Sequence, residues 1–216
     1  MTKSRKNRDE GEIVRLRTRL FLVASLTANE GLEHLAAALT AGDVASVLIA
    51  EPAVEGKAFA ALARPFVELV QKRDVAVILR GDARLVQRFG ADGFHNDGDI
   101  TALEEVIAAL SPGLIVGAAN LPTRHAAMEA GEAGADYVFF GHPDNPQASD
   151  PDMLLERAEW WQSLFVAPCV ICAPDLASVG GLARAGADFI ALGPRIWRSG
   201  DDVRAAQSAI DAAFAG

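Results

Sequence analysis

Short apolar runs alternate along this chain with longer stretches whose apolar positions recur at helical spacing, and the pair repeats eight times. The run from Arg19 through Ser25 precedes a helical pattern over 30–40, residues 45–50 precede 56–71, and residues 75–79 precede 83–89. A very short run at 92–94 precedes 100–110, and 114–119 precedes 123–133. Residues 137–141 lead through a loop to 151–163, 168–171 lead to 175–185, and 189–192 lead to 201–213. One phrase marks three of the joints: Gly90-Ala91-Asp92-Gly93, Gly134-Ala135-Asp136-Tyr137 and Gly186-Ala187-Asp188-Phe189. In each, a glycine suited to the left-handed turn that ends a helix hands the chain to an apolar run of the kind that forms a buried parallel strand.

Eight βα units in 216 residues, half of them hydrophobic, predict a single-domain (β/α)8 TIM barrel over residues 19–216. The rival is a doubly wound open sheet. That fold uses fewer strands and often carries a glycine-rich loop after the first, whereas Ser25-Leu26-Thr27-Ala28-Asn29 offers none. Residues 1–18 read as a flexible charged tail, and residues 1–10 lack the apolar core of a secretory signal. A formal net charge of −9 argues against a nucleic-acid backbone as partner, because that contact needs a concentrated basic face. Small molecules are the expected ligands. Charged residues interrupt every apolar run short of a membrane span, and two cysteines are too few for a disulfide framework. A cytoplasmic protein is expected.

A barrel of this kind carries its chemistry on the loops after the strands. Leu79-Arg80-Gly81-Asp82 closes the third run, and Arg80 is placed there either to bind an anion or to open the next helix as a solvated residue. His95-Asn96-Asp97-Gly98-Asp99 follows the fourth. Asp97 and Asp99 with an amide oxygen are the hard ligands that magnesium prefers, but the same residues are good turn chemistry with Asp99 capping the helix at Ile100. His95 itself reads as a hydrogen-bonded histidine at the barrel rim. After the last run, Gly193-Pro194-Arg195-Ile196-Trp197-Arg198-Ser199 is placed either to cradle a phosphate, with Gly193 supplying backbone and Arg195 or Arg198 countercharge, or to form a plain loop ending in a Ser199 cap. Cys169 and Cys172 have redox or zinc spacing, but positions i and i+3 of a strand face opposite sides, so they read as buried thiols. Trp160-Trp161 with Phe165 and Val166 reads as outer-helix core, or as the contact of a homo-oligomer. Asp43, Asp92, Asp136 and Asp188 precede strands, on the face opposite the chemistry, and read as caps and turns.

From Arg19 onward the chain resembles the thiamine-phosphate synthase and thiazole tautomerase superfamily. The resemblance rests on Leu20-Phe21-Leu22-Val23, Gly90-Ala91-Asp92-Gly93-Phe94-His95, Ile115-Val116-Gly117, Gly134 through Gly141 and Ala185-Gly186-Ala187-Asp188. It implies a barrel of thiamine biosynthesis that binds a phosphorylated thiazole or pyrimidine, and, for the synthase reaction, magnesium and a set of cations around a diphosphate. Here the chain departs from the pattern. Glu51 and aliphatic neighbours stand where the family carries Arg and Lys, residues 117–120 lack a serine, residues 141–147 lack the Thr and Lys, and Ala173-Pro174 replaces two glycines. His142, after Gly141, stands where the tautomerase branch carries its proton-transferring histidine, and an imidazole both accepts and donates a proton. The implied site is His142 as acid/base, Glu51, Arg80, Gly193, Arg195 and Arg198 around the substrate, and Asp97 and Asp99 at a metal. The alternative is a non-catalytic ligand sensor or partner protein on the same scaffold.

Overall fold

The computed structural model describes residues 17–25, 30–50 and 57–215. Eight strands, β1 (Arg19–Ser25), β2 (Val44–Ala50), β3 (Ala76–Arg80), β4 (Gly93–Asn96), β5 (Ile115–Ala118), β6 (Tyr137–Phe140), β7 (Cys169–Cys172) and β8 (Phe189–Leu192), pair in chain order. All pairings are parallel, and β8 returns to β1 in the register Arg19↔Phe189 to Leu22↔Leu192. That closure makes a (β/α)8 barrel and rules out the open sheet. The helices α1 (Glu30–Ala38), α2 (Lys57–Gln71), α3 (Arg84–Phe89), α4 (Ile100–Leu110), α5 (Arg124–Glu132), α6 (Pro151–Leu164), α7 (Val179–Arg184) and α8 (Gly200–Ala213) follow the strands in turn. A short 3-10 turn at Pro146–Ala148 interrupts the loop between β6 and α6.

The repeated Gly-Ala-Asp phrase works as a joint between strand pairs. Gly90, Gly134 and Gly186 take φ of +66°, +97° and +97°, where a side chain would be strained. The aspartate two residues after each accepts from the first or second backbone N–H of the preceding strand: Asp92 from Val77, Asp136 from Val116 and Asp188 from Cys169, each at 2.8 Å. These carboxylates therefore lock β4, β6 and β8 to their odd-numbered neighbours at the base of the barrel. Asp43 is held there by Arg19, whose Nε donates to it at 2.9 Å. Of the expected tail, residues 1–16 lie outside the described residues. Thr18 is buried and its Oγ1 donates to the Ala187 carbonyl at 2.7 Å, so the barrel base begins before Arg19.

Strand alternation sorts the core into two layers. Phe21, Leu48, Ile78, Tyr137, Phe139 and Val170 fill the barrel, while outward residues such as Leu22, Val47 and Ile171 pack under Leu35, Leu103, Leu154 and Trp161 of the helices. Full burial of an apolar side chain of this size is worth roughly 1.5–3 kcal/mol, and it is this outer layer that fastens the helices. Trp161 is fully enclosed, stacks on Phe165 at 4.0 Å and donates from Nε1 to the Ala167 carbonyl. Of the expected block, Trp161 is core with Trp160 and Phe165 packed partly buried against it, whereas Val166 is fully exposed. Cys172 belongs to the inner layer and Cys169 to the outer, and burial pushes both thiols up to about 12. They point to opposite sides of β7 as unreactive thiols.

Candidate functional site

The inward positions of β3 to β6 run on past the packed interior and line a cavity of about 370 Å³ at the C-terminal end of the barrel. Arg80 stands two residues beyond the inward Ile78, and β3 pairs with β4 so that Arg80 lies beside His95. Asp97 follows at the next inward step, Asn120 comes from the end of β5, and His142 and Asp144 come from the loop after β6. Asn120 holds φ of +56°, a backbone state asparagine tolerates better than most residues. The strand of His95 is longer than its apolar run indicates: β4 spans Gly93–Asn96 because His95 and Asn96, though polar, are buried between β3 and β5. Gly93 admits that approach, since a Cβ there would stand 2.4 Å from the Ile115 carbonyl oxygen.

The cavity's charge is largely spent on itself. Arg80 Nη1 donates to Asp144 Oδ2 at 2.8 Å, with the arginine side chain 22% and the aspartate 61% exposed. Arg80 is the cation among the lining residues, against the carboxylates of Asp97 and Asp144. His95 is 1% exposed, and its Nδ1 lies 2.9 Å from the Tyr137 hydroxyl. Burial, with the nearby Arg80 charge, lowers the His95 pKa from 6.5 to about 3, so the imidazole is neutral. Burial likewise drives the Tyr137 phenol upward, and it stays protonated.

The residues expected at the site divide between this cavity and other places. Arg80, Asp97 and His142 line it, with Asp97 and His142 exposed. Asp99 does not. Its Oδ1 accepts from Ala102 N at 2.9 Å as the N-cap of α4, which is the turn reading of that segment. Glu51 lies outside the described residues. Gly193 is buried at the end of β8, where a Cβ would stand 2.4 Å from the Pro143 carbonyl oxygen, so the loops after β6 and β8 are pressed together above β7. Arg195 and Arg198 are exposed beyond that contact and outside the cavity wall, and Arg198 N donates to Asp202 at 2.8 Å. Asn120, Asp144 and Asn145 of the cavity wall went unread in the sequence, and so did Tyr137, which meets the wall through His95. The signal for Tyr137 was available, since it is the chain's one tyrosine and sits at an inward position of β6.

The described residues do not by themselves make a magnesium site. Among the described residues no three His, Cys, Asp or Glu side chains come together as a metal site. Asp99 is committed to its helix, and among the described residues the cavity wall keeps Asp97 and Asp144, the latter paired with Arg80, as its carboxylates.

The chain as a whole has parallels in known proteins. Residues 20–196 match the sequence family described as thiamine monophosphate synthase. The chain is 34% identical over 210 residues to a thiamine-phosphate synthase of Hyphomonas neptunium, spanning 93% of this chain and 95% of that one. It is 38% identical over 170 residues to a thiamine-phosphate synthase of Rhodospirillum centenum, spanning 76% and 80% of the two chains. The solved thiamine phosphate pyrophosphorylase from Pyrococcus furiosus superposes with a TM-score of 0.76 over 93% of this chain and 99% of that one, at 18% identity, a likeness of fold alone. With its family match running from β1 to the loop after β8, this barrel belongs to the thiamine monophosphate synthase family.

Proposed function

We propose that this chain serves thiamine biosynthesis by binding a phosphorylated thiazole or pyrimidine in the β3–β6 cavity, with His142 exchanging a proton with the bound heterocycle. The observation that carries the reading is the convergence of His142 with Arg80 and His95 on one cavity. Arg80 is the group to hold the phosphate, because it is the cavity's cation and its present partner, Asp144, is mostly exposed and easily displaced. The synthase reaction for which the family is described, joining the two heterocycles with loss of pyrophosphate, is the competing reading, and it is favoured by the names of the relatives. Against it stands the charge at the cavity: a departing pyrophosphate needs several cations aimed at it, and among the described lining residues Arg80 is the arginine, facing the carboxylates of Asp97 and Asp144.

One set of assays separates the readings. The purified chain is tested for thermal stabilisation by thiazole phosphate and hydroxymethylpyrimidine diphosphate, each with and without magnesium, and for turnover of a thiazole carboxylate phosphate. Proton exchange at His142 predicts that His142→Ala lowers turnover at least about 100-fold while ligand binding persists. Release of pyrophosphate from the two substrates together, unaffected by His142→Ala, would establish the synthase reading. Binding without turnover in the parent protein would leave a ligand sensor.

A further inference from the structure

Across three neighbouring strands the register sets His95 of β4, Gly117 of β5 and Tyr137 of β6 side by side. A Cβ on Gly117 would fall 1.9 Å from Tyr137 Cζ, so the phenol ring lies directly over the glycine and reaches across β5 to His95. The two rings are nearly parallel, 28° apart, with the hydroxyl 2.9 Å from Nδ1. Phe139 meets the imidazole edge-on at 5.1 Å, and Phe21 meets Tyr137 at 5.8 Å. The pair is packed into place on both sides.

We infer that His95 presents a neutral Nε2–H donor to the floor of the cavity, in a tautomer set by Tyr137, and that its acceptor is an oxygen or ring nitrogen of the bound ligand. The inference rests on the proposed function for the ligand and on bonding arithmetic for the tautomer. A phenol has one proton to donate, and among the described residues Nδ1 is the hydrogen-bond partner of the Tyr137 hydroxyl. An O–H left undonated inside the barrel would cost about 1–3 kcal/mol. Tyr137 therefore donates, Nδ1 accepts, and the proton of the neutral imidazole sits on Nε2. No partner meets Nε2 among the described residues. It is not sealed in either, because the enclosed polar side-chain atoms without a partner are Ser149 Oγ and Arg157 Nη1. The small exposed remainder of His95 lies on the cavity wall. Arg80 next to it adds to the cost of a second positive charge, so the floor offers a donor that stays uncharged. Such a donor selects a ligand carrying a lone pair at that depth and disfavours one carrying a proton there. Tyr137, which touches the ligand only through His95, is a positioning residue.

The test is nitrogen NMR on the full chain labelled at its four histidines, with His95→Gln assigning the signal. The expected result is a neutral Nε2–H tautomer for His95 that does not titrate between about pH 5 and pH 8, unlike an ordinary histidine. Saturation with thiazole phosphate or hydroxymethylpyrimidine diphosphate should move the Nε2 resonance. Tyr137→Phe should mix the two tautomers and weaken binding about fivefold to tenfold, the loss of one hydrogen bond's worth of positioning. An Nδ1–H tautomer in the parent protein overturns the inference, and so does a saturating ligand that leaves Nε2 unmoved. If neither ligand binds, the functional reading fails, and the inference is decided by the tautomer in the free protein. That measurement needs no substitution in the pair, so a poorly folded Tyr137→Phe cannot obscure it.

Discussion

His95 ties the chemistry of one residue to the stability of the chain. Its pKa falls from 6.5 to about 3 on folding because burial, reinforced by Arg80 and only partly opposed by Asp144, disfavours the imidazolium. Below pH 6.5 the unfolded chain takes up a proton that the folded chain refuses. The residue's contribution is therefore complete above pH 6.5 and is lost as pH falls toward about 3, by up to about 1.4 kcal/mol for each unit. Denaturant titrations at pH 7 and pH 5 should show a steeper loss of stability in the parent protein than in His95→Gln, and equal losses would refute the account. In the sequence His95 reads as a hydrogen-bonded histidine, which it is. Its partner was out of reach there, because Tyr137 lies 42 residues further on and meets it only across an intervening strand.

Among the elements, the segment between β4 and α4 shows how local chemistry claims a residue. Asp99 adopts an extended backbone and caps α4 through Ala102, satisfying one of the N–H groups that every helix start leaves open. Asp99→Ala should cost about 1 kcal/mol in thermal or chemical unfolding and leave any response to magnesium unchanged. A lost magnesium response with unchanged stability would return Asp99 to a metal site. Helix and strand periods were legible throughout, since they follow from which face each residue buries. β4 was the exception: its inward histidine breaks the apolar pattern, so residues 95–96 looked like loop and are strand. The contact of Gly193 with Pro143 was also unreadable, because it joins loops after β6 and β8 that are neighbours only once the barrel closes.

On the scale of the whole molecule, barrel closure turns side chains far apart in sequence into one cavity wall. The tie between Arg80 and Asp144 spans 64 residues and links the loops after β3 and β6. With both groups reachable by solvent, it is worth no more than about 1 kcal/mol, so a phosphate can take the aspartate's place. Asp144→Asn should leave the fold intact and strengthen binding of inorganic pyrophosphate severalfold in calorimetric titration, an effect that weakens with added salt. Unchanged affinity would mean that Arg80 is not where the anion lands. The sequence by itself determined the eightfold alternation, the three glycine-aspartate joints, the opposite facing of the two cysteines and the end of the barrel that carries the loops. Those features depend on residue period and backbone conformation, which are local. Only the tertiary structure decided that Arg80, His95, Asp97 and His142 share a cavity while Gly193, Arg195 and Arg198 do not, and that Tyr137 passes over Gly117 to orient His95. Period tells which face a side chain takes. Which neighbour it meets there is set by strand register and closure, which no single segment encodes.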